Sequence, residues 1–160
     1  MFKIGDYVVY RREVCKISDI KKNFMLGKDY YTLESIIDTS LILNVPIDNE
    51  SGLLRQIISY DEAEELIKIL PSIEVIITDD KTIENEYKTL MNSNKLIDLI
   101  KIIKIAYKRN ELREKNGKKI SEKDDKYFEK AEEIFYHELS LALHMPYENV
   151  KEYIINKLRN

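Results

Sequence analysis

Histidine, cysteine and clustered lysine are the side chains of this 160-residue chain whose types invite chemistry. His137 and His144 are its only histidines, and seven positions put them near one helix face but two turns apart. A zinc centre needs closer ligands and two more of them, so no metal site is expected. Cys15 is the only cysteine. It allows no internal disulfide, and with no candidate base beside it in an apolar run it reads as a small buried hydrophobe rather than a nucleophile. Gly5, Gly27, Gly52 and Gly117 are too scattered for a phosphate-cradling loop. The pairs Glu64-Glu65, Asp79-Asp80 and Asp124-Asp125 are adjacent and easily solvated. No cofactor motif is present, and an enzyme reading has no positive support.

The polar feature with an evident physical use is basic. Lys101, Lys104, Lys108, Arg109, Arg113, Lys115, Lys118 and Lys119 fall within nineteen positions, against only Glu111 and Glu114. The whole chain has 26 basic and 29 acidic residues, a net charge of −3, so the cluster is local. A lysine stripe gains affinity for nucleic acid by releasing condensed counterions. The same run also reads as a solvated helix face followed by a lysine-rich loop.

These residues must be positioned by two kinds of element. Up to about Val45 the chain reads as short strands, 7–10, 14–17, 30–33 and 41–45, rich in β-branched and aromatic residues and separated by turn formers. Such spacing suggests a small barrel. Pro46 has no N–H for a ladder, so the strand before it ends there or lies at an edge. After Ser59 the apolar period becomes helical, and Ser59 with Glu62 forms a capping box. Pro71 stops that helix, residues 72–81 form a linker, and four more helices follow. In 95–109 one apolar stripe runs through Leu96, Leu99, Ile100, Ile103 and Tyr107. Charges interrupt every apolar run well short of the roughly 20 residues that span a bilayer, so no membrane association is expected. With one cysteine and no basic start leading into an apolar core at the N-terminus, the cytoplasm is the expected location.

Three sets of residues carry a family resemblance. Phe2-Lys3-Ile4-Gly5-Asp6-Tyr7-Val8-Val9-Tyr10 and Val14-Cys15-Lys16-Ile17 form the first. Val45-Pro46-Ile47-Asp48-Asn49, Leu53-Leu54-Arg55 and Ile58-Ser59 form the second, and Gly117-Lys118-Lys119-Ile120-Ser121, Ala131-Glu132 and Glu138-Leu139-Ser140-Leu141-Ala142-Leu143 the third. In this order they resemble the CarD/CdnL bacterial transcription regulators, whose first module is shared with the RNA polymerase-interaction domain of transcription-repair coupling factor. The resemblance implies an α+β chain: a small Tudor-like β-barrel (1–58), a connecting helix (59–71) and an all-helical domain (72–160). It implies docking on the RNA polymerase β subunit and contact with promoter DNA at the upstream edge of the melted region; with a net charge of −3 and no identifiable recognition helix, that contact is expected to lack sequence preference. The protein is expected to be monomeric when free and to need no cofactor.

By the same resemblance, Leu41, Ile42, Leu43, Asn44, Val45 and Pro46 form the polymerase-docking strand, with Asn44 where an arginine is common. The DNA-contact candidates are Lys81, Lys88, Lys101, Lys104, Lys108, Arg109, Lys118 and Lys119, joined by Ile76 and Ile77. That pair falls where the family often carries a wedge tryptophan, and this chain has none. Either it is an aliphatic wedge, since such side chains can enter unstacked base steps, or it packs in the core. The hairpin Tyr10-Arg11-Arg12-Glu13-Val14 lacks the family's glycine and one residue. Limited proteolysis should cut first within 72–81 or 116–119; early cuts within 41–45 would contradict a folded docking strand.

Overall fold

β-Branched and aromatic residues build five strands: β1 (Tyr7–Tyr10), β2 (Glu13–Met25), β3 (Lys28–Ser35), β4 (Ile42–Pro46) and β5 (Leu54–Gln56). The computed structural model describes residues 1–160 and joins these strands in one antiparallel sheet, ordered β4-β3-β2-β1-β5. Val8, Cys15, Ile17, Tyr31, Leu33, Val45 and Leu54 make its core cluster, with Phe2, Tyr10 and Leu43 packed against it. Strand β2 continues through Met25, well past its expected end, and the three-residue β5 is too short for apolar spacing to announce. The sheet is open: β4 pairs only with β3, and β5 only with β1. Two edges remain where the strand spacing suggested a closed barrel.

Local residues explain the turns. Tyr10 lies opposite Glu13, leaving Arg11-Arg12 as the β1–β2 turn, with Arg11 at φ 57°. Its guanidinium sits 5.7 Å from the centre of the Tyr10 ring. Leu26-Gly27, both at positive φ, close the β2–β3 hairpin as the twist-compatible I′ geometry requires. Beyond β4, Asn49 works as a clamp: its Nδ2 donates to the Leu54 carbonyl (2.9 Å) and its Oδ1 accepts from the Leu54 N–H (3.1 Å).

The compact units are Met1–Ile57 and Ile58–Asn160. In the second, the helices are α1 (Tyr60–Ile69), α2 (Ile83–Met91), α3 (Leu96–Lys115), α4 (Glu122–Leu143) and α5 (Tyr147–Arg159). The Ser59–Glu62 capping box forms, both bonds at 3.1 Å, and a 3-10 turn containing Pro71 ends the first helix. Helix α1, read from sequence as a connector, packs on α4 and α5 within this unit. Helix α3 runs six residues beyond Arg109 and closes on Gly117 (φ 70°), where the Lys118 N–H donates to the Arg113 carbonyl at 2.8 Å and that of Gly117 to Glu114 at 3.0 Å. These two bonds make a Schellman cap, so the lysine-rich stretch is an ordered helix end. The buried face of α3 comprises Leu96, Leu99, Ile100, Ile102, Ile105, Ala106 and Arg109. Tyr107, expected inside, is exposed; α2 and α4 both pack on this helix and widen its covered side beyond one stripe.

His137 stacks on Tyr147, ring centres 4.0 Å apart, and burial pushes its pKa down. The unfolded chain therefore takes up the proton first as pH falls. Its stabilising contribution should be complete above about pH 6.5 and be lost as pH drops from there through the lower folded value. Urea midpoints between pH 7.5 and pH 5.5, flanking about one pH unit on each side of an ordinary histidine, should shift less in His137→Gln; an unchanged shift would clear this residue.

Candidate functional site

The first candidate surface is the free edge of β4. Strand β3 pairs Leu33 with Leu43 and Tyr31 with Val45. The Ser35 N–H donates to the Leu41 carbonyl (3.1 Å), and the Ile47 N–H to that of Asp29 (3.0 Å). Inward and outward backbone groups alternate along an antiparallel strand, so Leu43 and Val45 turn theirs toward β3. The N–H groups of Ile42 and Asn44 then face the open edge, and Pro46, which has none, occupies the next outward position. Leu41 precedes the strand, its N–H donating to Asp38. Val45 is buried and Ile42 and Asn44 are exposed. Asn44 accepts a hydrogen bond from the Thr32 hydroxyl across the ladder at 3.0 Å, so its side chain is tied to the sheet while its backbone remains available.

The basic residues do not form one face. At 100° per residue, Lys101, Lys104, Lys108 and Lys115 share one side of α3, while Arg109 and Arg113 are centred about 130° away. Lys104 is turned inward: its ammonium donates to the carbonyls of Leu70 (2.5 Å) and Ile73 (2.7 Å). It thereby caps carbonyls at the end of the 3-10 turn after α1, and burial lowers its pKa. Lys101 pairs with Asp98 (3.4 Å) and Lys88 with Glu84 (3.7 Å). Lys81, Lys108, Lys118 and Lys119 are exposed.

Arg109 is largely buried: it is 7% exposed and every guanidinium nitrogen is engaged. Nε donates to both oxygens of Asp124 (3.1 and 3.2 Å), Nη1 to the Thr78 carbonyl (2.7 Å), and Nη2 to Asp80. Asp124, at 0% exposure, also accepts from the Tyr87 hydroxyl at 2.7 Å. That bond and burial push the phenol far above its ordinary pKa, burial contributing most. Sequence spacing groups Arg109 with the lysines, yet its partners lie 15 and 29 positions away, beyond any local pattern.

This network fixes the segment leading to α2. Thr78 gives its carbonyl to Arg109 and its hydroxyl to Glu86 at 2.7 Å, while Asp80 is held by Arg109 and, at 3.2 Å, Arg113. Ile76 is 83% exposed and Ile77 41% exposed, so this pair is not core. Ile77, Arg113 and Lys118 line one open cavity of about 290 Å³. The fold therefore brings one wedge candidate, Ile77, beside Lys118.

Nothing in the arrangement resembles an activated nucleophile. Cys15 is fully buried and its pKa is pushed up to about 12, chiefly by burial, which suppresses the thiolate. No group of three or more His, Cys, Asp or Glu side chains is placed to hold a metal ion. No helix is long and apolar enough to cross a membrane.

Residues 2–58 match the family model for the CarD-like/TRCF RID domain. The match spans all five strands and ends before α1. No curated protein matches the chain.

Because Asp124 is buried with Arg109 as its charged partner, removing the guanidinium strands a carboxylate. Arg109→Met should cost about 3–5 kcal/mol in urea unfolding; a loss below about 1 kcal/mol, the scale of a surface pair, would remove the network from the core.

Proposed function

We propose, from an N-terminal unit that is a CarD-like RNA polymerase-interaction module, that this chain is a transcription regulator acting by binding. Such a module is a protein-interaction domain rather than a catalytic one. We read its sheet as Tudor-like, docking on the polymerase β subunit through the free edge of β4. The observation that carries the reading is the family match, joined to an edge whose Ile42 and Asn44 N–H groups point outward. Strand addition draws its affinity from main-chain bonds, which explains how docking tolerates Asn44 where an arginine is common.

The helical unit, in this reading, touches promoter DNA at the upstream edge of the melted region. Ile76 and Ile77 supply the apolar contact, and Lys81, Lys118 and Lys119 supply phosphate contacts. Lys108 lies on another side of α3, Lys104 acts inside the unit, and Arg109 is anchored there by Asp124 while its Nη2 reaches Asp80 at the open cavity. Phosphate contacts position a protein without specifying sequence. A protein that holds polymerase and opened promoter more tightly than polymerase and closed promoter shifts melting by its differential affinity; about 1.4 kcal/mol is tenfold. The second reading, a polymerase-binding adaptor without useful DNA contact, is favoured by the missing tryptophan.

Two measurements separate these readings. Proline at Ile42 or Asn44 should weaken retention by the β subunit while the helical unit keeps its circular dichroism; undiminished retention by both would remove β4 from the interface. In polymerase–promoter titrations against salt, Lys118→Gln/Lys119→Gln should lower the slope by about 0.9 per lost contact, near 1.8 in total. Equal slopes would make the adaptor the better reading.

A further inference from the structure

Asp80 lies where three cations converge. Its Oδ1 accepts from Nη2 of Arg109 and from Nη2 of Arg113 (3.2 Å), and the charge of Lys118 also acts on it. The carboxylate is 75% exposed and borders the open cavity of about 290 Å³ shared with Ile77, Leu112 and Asn116. Neighbouring Asp79 is committed elsewhere: its Oδ1 accepts from the N–H of Lys81 (3.1 Å) and from the N–H (3.3 Å) and hydroxyl (3.2 Å) of Thr82. One exposed carboxylate thus faces two guanidinium groups and an ammonium. Guanidinium forks beside a lysine are a characteristic phosphate-binding set.

Arg109 keeps its place without Asp80, because Nε is held by the buried Asp124 and Nη1 by the Thr78 carbonyl. Losing Asp80 would free Nη2 and the Arg113 fork while leaving Thr78, and with it Ile77, anchored. Arg109 is preorganised, and exposed aliphatic surface borders the site. That combination suits a nucleic-acid strand, with a phosphate on the arginines and a base against the isoleucines.

We infer that Arg109, Arg113 and Lys118 form a phosphate site that Asp80 occupies in the free protein and a nucleic-acid backbone phosphate takes over, with Asp80 swinging out as a latch. The inference rests on the DNA-contact reading and adds to it two cations, Arg109 and Arg113, and a built-in competitor. The intramolecular carboxylate lowers the affinity of the free chain for any phosphate, so DNA is engaged only where polymerase docking raises its local concentration.

The test uses the full chain and two probes. Asp80→Asn should bind a short single strand or duplex about fivefold more tightly than wild type, the effect of one charge at about 4 Å in water. Adding Arg113→Gln should abolish the gain. Equal or weaker binding by Asp80→Asn, with the Arg109 Nε–H resonance showing the Asp124 link intact, overturns the latch. Inorganic phosphate tests the wild-type chain without substitution: the Asp80 carboxyl carbon signal should move as the carboxylate leaves the arginines. No movement at concentrations that saturate Asp80→Asn also overturns it, and a phosphate response with no gain on either DNA overturns the assignment to nucleic acid. β-Subunit retention is measured in parallel; if wild type fails to dock, the regulator reading falls while the phosphate result still decides the latch.

Discussion

The buried pair of Arg109 and Asp124 is the interaction on which the helical unit depends. Two charges leave water there, and the cost is tolerable only because each remaining polar atom has a partner: Tyr87 on the carboxylate, Thr78 and Asp80 on the guanidinium. The pair ties α3 to α4, Tyr87 adds α2, and Thr78 and Asp80 add the segment between the 3-10 turn and α2. A stretch with no regular structure and two exposed isoleucines is thereby held in one position. A purely apolar contact at the same place would join the helices but would not orient residues 76–80, because dispersion is non-directional whereas a guanidinium fork is not.

The sheet unit is governed by the alternation of backbone groups along an edge strand. Leu43 and Val45 present both their side chains and their hydrogen bonds inward, while Ile42 and Asn44 keep backbone groups outward. Edge strands usually invite unwanted pairing and are blunted by proline or charge. Here the edge is short and Pro46 ends it, which leaves room for a partner strand of matching length and discourages indefinite addition. The Asn49 clamp, bonding both backbone groups of Leu54, ties the segment after β4 to the start of β5.

Under the proposed function, affinity is divided between two weak surfaces. Main-chain pairing at β4 would supply docking that tolerates side-chain change, and tethering makes the second contact effectively intramolecular. The residues proposed to face DNA would then need little affinity of their own. A net charge of −3, lysines neutralised by Asp98 and Glu84, and a carboxylate among the arginines are compatible with that demand.

Residue type and spacing alone determined the strand-then-helix order, the capping box at Ser59, the stop at Pro71 and the kinship of the first module. Each depends on neighbours within a few positions or on a motif in fixed order. Tertiary structure decided which cations are available. Lys104, Lys108 and Arg109 look alike in a basic run, yet Lys104 caps carbonyls some thirty positions away, Arg109 is buried against Asp124, and Lys108 stays in solvent. Helical periodicity assigns residues to faces but does not say which neighbour covers each face, so Tyr107 is exposed where its spacing placed it inside. The same limit applies to Ile76 and Ile77: hydrophobicity permits either core or surface, and only the anchoring of Thr78 and Asp80 to Arg109 placed that segment outside.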